Sequence, residues 1–145
     1  MRPQDLGFAE PCQRCIEFVV GLKTEGHGNL QSLPVDDICS HEGIYYRYVC
    51  GSCTSRWLIY DWTLFGSMTL EQESADGKYF ATVRHAQGQK HGLHEYYPRH
   101  YPANEPRPTT LAELWDRGRL IRRLENGLIV FDAEGQSDAG GKGTA

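Results

Sequence analysis

With 145 residues, 39% hydrophobic and 23% charged, the chain has the size and makeup of one globular domain with a modest core. A net charge of −4 and an isoelectric point near 5.8 argue against general duplex DNA binding, which needs an electropositive face to displace counterions. No apolar run reaches the about 18 residues of a membrane span, and Met1–Glu10 lacks the apolar core of a secretory signal. The chain is therefore expected in the cytoplasm, away from any membrane.

Residues 1–11 read as a loose segment broken by Pro3, Gly7 and Pro11. After Cys12-Gln13-Arg14-Cys15, the residues Ile16, Phe18, Val20 and Leu22 alternate with their neighbours as in a strand. Residues 24–37 form a turn-rich loop. Strands are expected at Ile44–Val49, Arg56–Thr63 and Ser67–Gln72. Ala75-Asp76-Gly77 is a hairpin signal, and Lys78–His85 is the returning strand. Residues 86–108, with His91, His94, His100, three tyrosines and four prolines, read as a long irregular connection that packs onto the domain.

A helix is expected over about 111–125. Thr110-x-x-Glu113 has the form of a capping box, Leu111, Leu114, Trp115, Ile121 and Leu124 fall near one face, and Asn126-Gly127 is a stop. On such a helix Arg119, Arg122 and Arg123 share one side. Leu128–Phe131 adds a short strand, and the Gly/Ser/Asp/Ala tail from Ala133 to Ala145 is expected to be disordered. The domain thus spans residues 1–132, and the fold class is mainly β (α+β): an antiparallel meander with one C-terminal helix.

The five cysteines are an odd number, which fits a disulfide framework poorly, and in a reducing compartment paired cysteines favour metal. The pairs Cys12/Cys15 and Cys50/Cys53 have the spacing at which a tight turn points two thiolates at one ion, and two such turns complete a tetrahedron around zinc. Cys39-Ser40-His41 has a ligand spacing as well. The sets Cys39/His41/Cys50/Cys53 and Cys12/Cys15/Cys39/His41 therefore stand beside the all-cysteine set. His91-x-x-His94-Glu95 with His100 is a further candidate for metal or acid/base work, but Gly92 and Pro98 argue against the helix that would bring these side chains together.

Tyr48-Val49-Cys50-Gly51-Ser52-Cys53-Thr54-Ser55-Arg56-Trp57 resembles the second knuckle of a zinc ribbon, and Pro11-Cys12-Gln13-Arg14-Cys15 resembles a first knuckle. The resemblance covers about residues 11–63 and implies a structural zinc ion held by four thiolates in a closed site. For function, the tyrosines, Trp62, Tyr60 and the cluster Arg119, Arg122 and Arg123 point to a protein-binding surface, since Tyr, Trp and Arg are favoured at binding hot spots. The expected role is a small zinc-binding interaction module, an inhibitor or regulator of another protein, toxin neutralisation being one form of it. The alternative is a nucleic-acid-binding ribbon that stacks single-stranded bases, disfavoured by the acidic balance. A metal-dependent enzyme using the histidines ranks third, because no nucleophile motif is legible.

Overall fold

The structure, a computed structural model, describes residues 1–18, 38–42, 45–62 and 67–134, with 38–42, 45, 61, 62, 67 and 68 as backbone only. The expected loop 24–37 and the tail from 135 lie outside these residues. Alternation of buried and exposed side chains sets the architecture. The strands are β1 (Ile38–Glu42), β2 (Tyr45–Val49), β3 (Arg56–Trp62), β4 (Ser67–Glu73), β5 (Tyr79–Thr82), β6 (His85–Ala86), β7 (Gln89–Lys90), β8 (Gly92–Pro98), β9 (Leu111–Asp116), β10 (Arg119–Glu125) and β11 (Leu128–Asp132). Among the described residues, nine form one antiparallel sheet in the order β1-β2-β3-β4-β5-β8-β9-β10-β11, and β6-β7 makes a small separate ribbon. Apart from that ribbon, every strand lies beside its neighbour in sequence, so the sheet is an up-and-down meander. No helix among the described residues is long and apolar enough to cross a membrane.

Directly opposed residues in a sheet share a face, and one register row makes this plain. Tyr48, Trp57, Gln72, Ala81, Tyr96 and Leu111 are successive cross-strand partners from β2 to β9, and all six are buried. They floor the inner face. The N-terminal segment covers that face with Leu6, Phe8, Cys15 and Phe18. Phe8 meets Tyr96 edge-on at 5.0 Å between ring centroids, and Phe18 lies 4.4 Å from Tyr48. Gln72, the polar member of the row, donates its side-chain amide to the Ala9 carbonyl at 2.7 Å, so its burial leaves that donor satisfied.

The helix expected over 111–125 does not form; β9 and β10 make a hairpin there. Arg117 and Gly118 both have left-handed φ values, 49° and 82°, the pattern of a two-residue type I′ turn. Asn126 and Gly127, read as a helix stop, repeat it between β10 and β11 with φ values of 49° and 83°. Glu113 caps nothing. It is fully buried opposite Arg123, which donates to its carboxylate at 2.6 and 2.9 Å. In a helix, residues ten apart would be about 15 Å apart along the axis and could not pair.

Two further expectations are corrected. Residues 92–98 are not irregular: β8 is a central strand that buries His94 and Tyr96 on the inner face. The strand expected from Ile16 to Lys23 is helical over residues 13–18, with Ile16 N–H bonded to the Cys12 carbonyl at 3.0 Å; residues 19–23 lie outside the described set.

Gly118→Ala distinguishes hairpin from helix by sign. In a helix interior the change would stabilise by about 1 kcal/mol, whereas at φ 82° it is expected to destabilise by about 1 kcal/mol. A Cβ there meets only ordinary contacts, none nearer than 3.5 Å, so backbone strain dominates. Urea denaturation with an unchanged m-value checks it.

Candidate metal centre

The two cysteine pairs reach one point from opposite layers of the fold. Cys50 directly follows β2 and Cys53 sits in the turn leading to β3. That turn is closed by Cys50 N–H to the Ser55 carbonyl and Thr54 N–H to the Cys50 carbonyl, both at 3.0 Å. Cys12 and Cys15 flank the first turn of the helical residues 13–18, where an i, i+3 spacing sets both on one side.

Across the layers, Cys12 Sγ lies 3.8 Å from Cys50 Sγ, and Cys15 Sγ lies 3.5 Å from Cys53 Sγ. All four sulfurs lie within 4.8 Å of one another. A tetrahedron with metal–sulfur bonds of about 2.3 Å has edges of about 3.8 Å, so the spacing fits an ion at the centre. None of the four is in a disulfide. The donor set suits a thiophilic ion, and four protein ligands leave no open position for a substrate.

Several groups offset the negative charge of gathered thiolates. Arg14 Nη2 lies 3.0 Å from Cys50 Sγ, and the Ser52 N–H is 3.4 Å from the same sulfur. Burial opposes ionisation of Cys50, but the Cys53 N–H, Arg14 and the Ser52 N–H outweigh it and hold the thiol down at about 5. Cys53 is also lowered against its burial, first by the Ser55 hydroxyl. Trp57 Nε1–H donates to Ser55 Oγ at 3.0 Å, which leaves the Ser55 hydroxyl proton for a sulfur: Cys53 at 3.0 Å or Cys15 at 3.2 Å. Cys15 is completely buried, and burial pushes its thiol far up. A metal ion would have to displace that proton, so affinity falls as pH falls.

The remaining predicted site residues are dispersed. Cys39 and His41 pair with Tyr48 and Tyr46 in the β1-β2 register, and their side chains lie outside the described set. Among the described residues the cysteine quartet is the one group able to hold an ion. His94 is fully buried with Nε2 2.7 Å from the Arg84 carbonyl, His91 Nδ1 accepts the Arg117 N–H, and His100 is exposed. Arg119, Arg122 and Arg123 do not share a side as they would on a helix. Arg119 is exposed, Arg122 pairs with Asp132 at 3.3 Å, and Arg123 pairs with Glu113. Tyr60 packs against Leu58, Phe80 and Tyr97 on the outer face; the Trp62 side chain lies outside the described residues. Sequence reasoning missed Arg14 and Ser55, whose one signal was position, within and just after the knuckles.

Compared with protein-family models, curated proteins and solved structures, the chain gives no match.

Removing Arg14 takes a charge-assisted bond from Cys50. Arg14→Gln is expected to weaken metal affinity by about 10- to 100-fold, the usual cost of losing an outer-shell partner. It should also raise the pH at which metal is half released, because the Cys50 thiol moves up. Competition with a chromophoric chelator across the pH range measures both.

Proposed function

We propose that this chain is a zinc-stapled β-sheet module, working in a reducing compartment such as the cytoplasm, that binds another protein through the end of its sheet that no other described residue covers. The four-thiolate geometry supports zinc as the ion and a structural role for it. The β2-knuckle-β3 hairpin supports the zinc-ribbon resemblance, which stops at the first knuckle because that knuckle opens a helical turn. An inhibitor or regulator fits this architecture, whose centre holds its ion closed.

The observation that carries the reading is the exposure of β11. Leu128, Ile129 and Val130 are 73%, 57% and 50% exposed on a strand paired on one side with β10, at the end of the sheet order. Natural edge strands are normally protected by charge, proline or a covering segment. Beside this edge, on the outer face, lies an open groove of about 580 Å³ whose lining includes the apolar Leu93, Pro108, Ala112 and Leu124 together with Glu95. Ala112, Leu124 and Ile129 are successive cross-strand partners, so groove and edge are continuous. A partner supplying an extended apolar segment would gain main-chain hydrogen bonds along β11 and seat alternate side chains in the groove.

The test uses Ile129→Lys/Val130→Lys, changes that a solvent-facing edge tolerates. A protein captured by the wild type should be re-bound in purified form, with the variant at least tenfold weaker while metal content and melting stay unchanged. Equal binding by both forms contradicts the reading. A wild-type dimer that the variant makes monomeric, with no other protein bound, would make the occupant a second copy.

A further inference from the structure

The outer face carries a second constellation, which the apolar end does not use. Glu73 is 4% exposed and lies opposite Arg56 in the β3-β4 register. Three guanidiniums from three separate parts of the chain converge on its carboxylate: Arg56 Nη2 at 3.1 Å, Arg47 Nη1 at 3.3 Å and Arg99 Nη1 at 3.8 Å. One carboxylate neutralises one guanidinium, so among the described residues the three arginines exceed Glu73 by two positive charges, while Arg107 offsets Glu71 beside them. The arginine side chains remain 37% to 45% exposed. Each guanidinium has five N–H donors, more than Glu73 can accept from three of them.

The arginines are also held in place. Arg99 lies over the Phe80 ring at 5.5 Å, and Phe80 is the cross-strand partner of both Glu73 and Tyr97. Arg107 lies over Tyr97 at 3.8 Å, and the Tyr97 hydroxyl donates to Glu71. Guanidiniums held this way lose less freedom when they bind a ligand.

We infer that Arg47, Arg56 and Arg99 form a docking site for a phosphate group, with Glu73 as the floor that holds their forks apart. A phosphate carries about −1.5 to −2 charge at neutral pH, which matches the uncompensated charge, and guanidiniums bind its oxygens in bidentate fashion. The cluster is gathered around one carboxylate, on a chain of net charge −4. That shape suits a single phosphate more than a nucleic-acid strand, whose binding rests on many phosphate contacts.

The experiment follows the arginine Nε–H signals by ¹H–¹⁵N NMR in the metal-loaded protein. Inorganic phosphate, O-phosphoserine and a single-stranded oligonucleotide are titrated against chloride at matched ionic strength. Saturable shifts of Arg47, Arg56 and Arg99 are expected with phosphate and phosphoserine. Affinity should fall about tenfold in Arg47→Gln and in Arg99→Gln, each losing charge-assisted bonds, with the sheet still folded by circular dichroism. Tighter binding of phosphoserine would make the source an esterified phosphate, and tighter binding of the inorganic ion a free one. Glu73→Gln, where it folds, should bind phosphate more tightly, since the competing carboxylate is gone; a cluster that only stabilises the fold would show no such gain. No saturable shift up to about 10 mM, equal shifts in the arginine variants, or a response to the oligonucleotide alone would overturn the inference.

Discussion

The structure depends on tying the N-terminal segment to the sheet. The sheet's inner face is a row of large side chains from Tyr48 to Leu111, and its cover includes Leu6, Phe8 and Phe18. A cover of that size is marginal alone: burying one such side chain contributes about 1.5–3 kcal/mol, against about 1–2 kcal/mol of backbone entropy for every residue ordered. A metal ion bound by the cysteine quartet would change the balance. Cys12 and Cys15 lie in the cover, and Cys50 and Cys53 in the β2-β3 hairpin beneath it. A structural zinc ion held there would contribute roughly 10–16 kcal/mol of apparent free energy, comparable to the total stability of an ordinary domain.

This division of labour separates the two faces. The inner face is closed by aromatic packing and sulfur, and Trp57 serves both: it is buried in the core and its indole N–H sets the Ser55 hydroxyl toward the thiols. The outer face is free of that task. It presents arginines over a buried carboxylate towards β2-β5 and an apolar groove towards β8-β11. A partner with a phosphate group beside an extended apolar segment would match both ends of this face.

Much of the sheet was legible because alternation is a direct consequence of strand geometry. Arg56–Thr63, Ser67–Gln72 and Leu128–Phe131 match β3, β4 and β11 within a residue. The misreadings have physical causes. Leu111, Leu114, Trp115, Ile121 and Leu124 have helical spacing only when the Arg117-Gly118 turn is counted as part of the repeat. Asn-Gly ends a helix or turns a hairpin with the same left-handed backbone, so the dipeptide alone does not decide. Thr110-x-x-Glu113 imitated a capping box because its buried glutamate answers an arginine on the next strand. β8 was hidden by His94 and Tyr96, which lie on the inner face, where the cover is distant in sequence. The thiol quartet was legible because its chemistry lies in spacing. The helical turn at Cys12 was not, since Ile16 to Leu22 alternates like a strand while Cys15 and Phe18 point at the sheet.

X-ray absorption at the zinc edge, on protein purified without added metal, tests the central claim most directly. The account expects one zinc per chain with four sulfur neighbours at about 2.3 Å and no nitrogen or oxygen ligand. A nitrogen or water in that shell, or a metal-free protein with the same folded sheet and the N-terminal segment still in place, would contradict it.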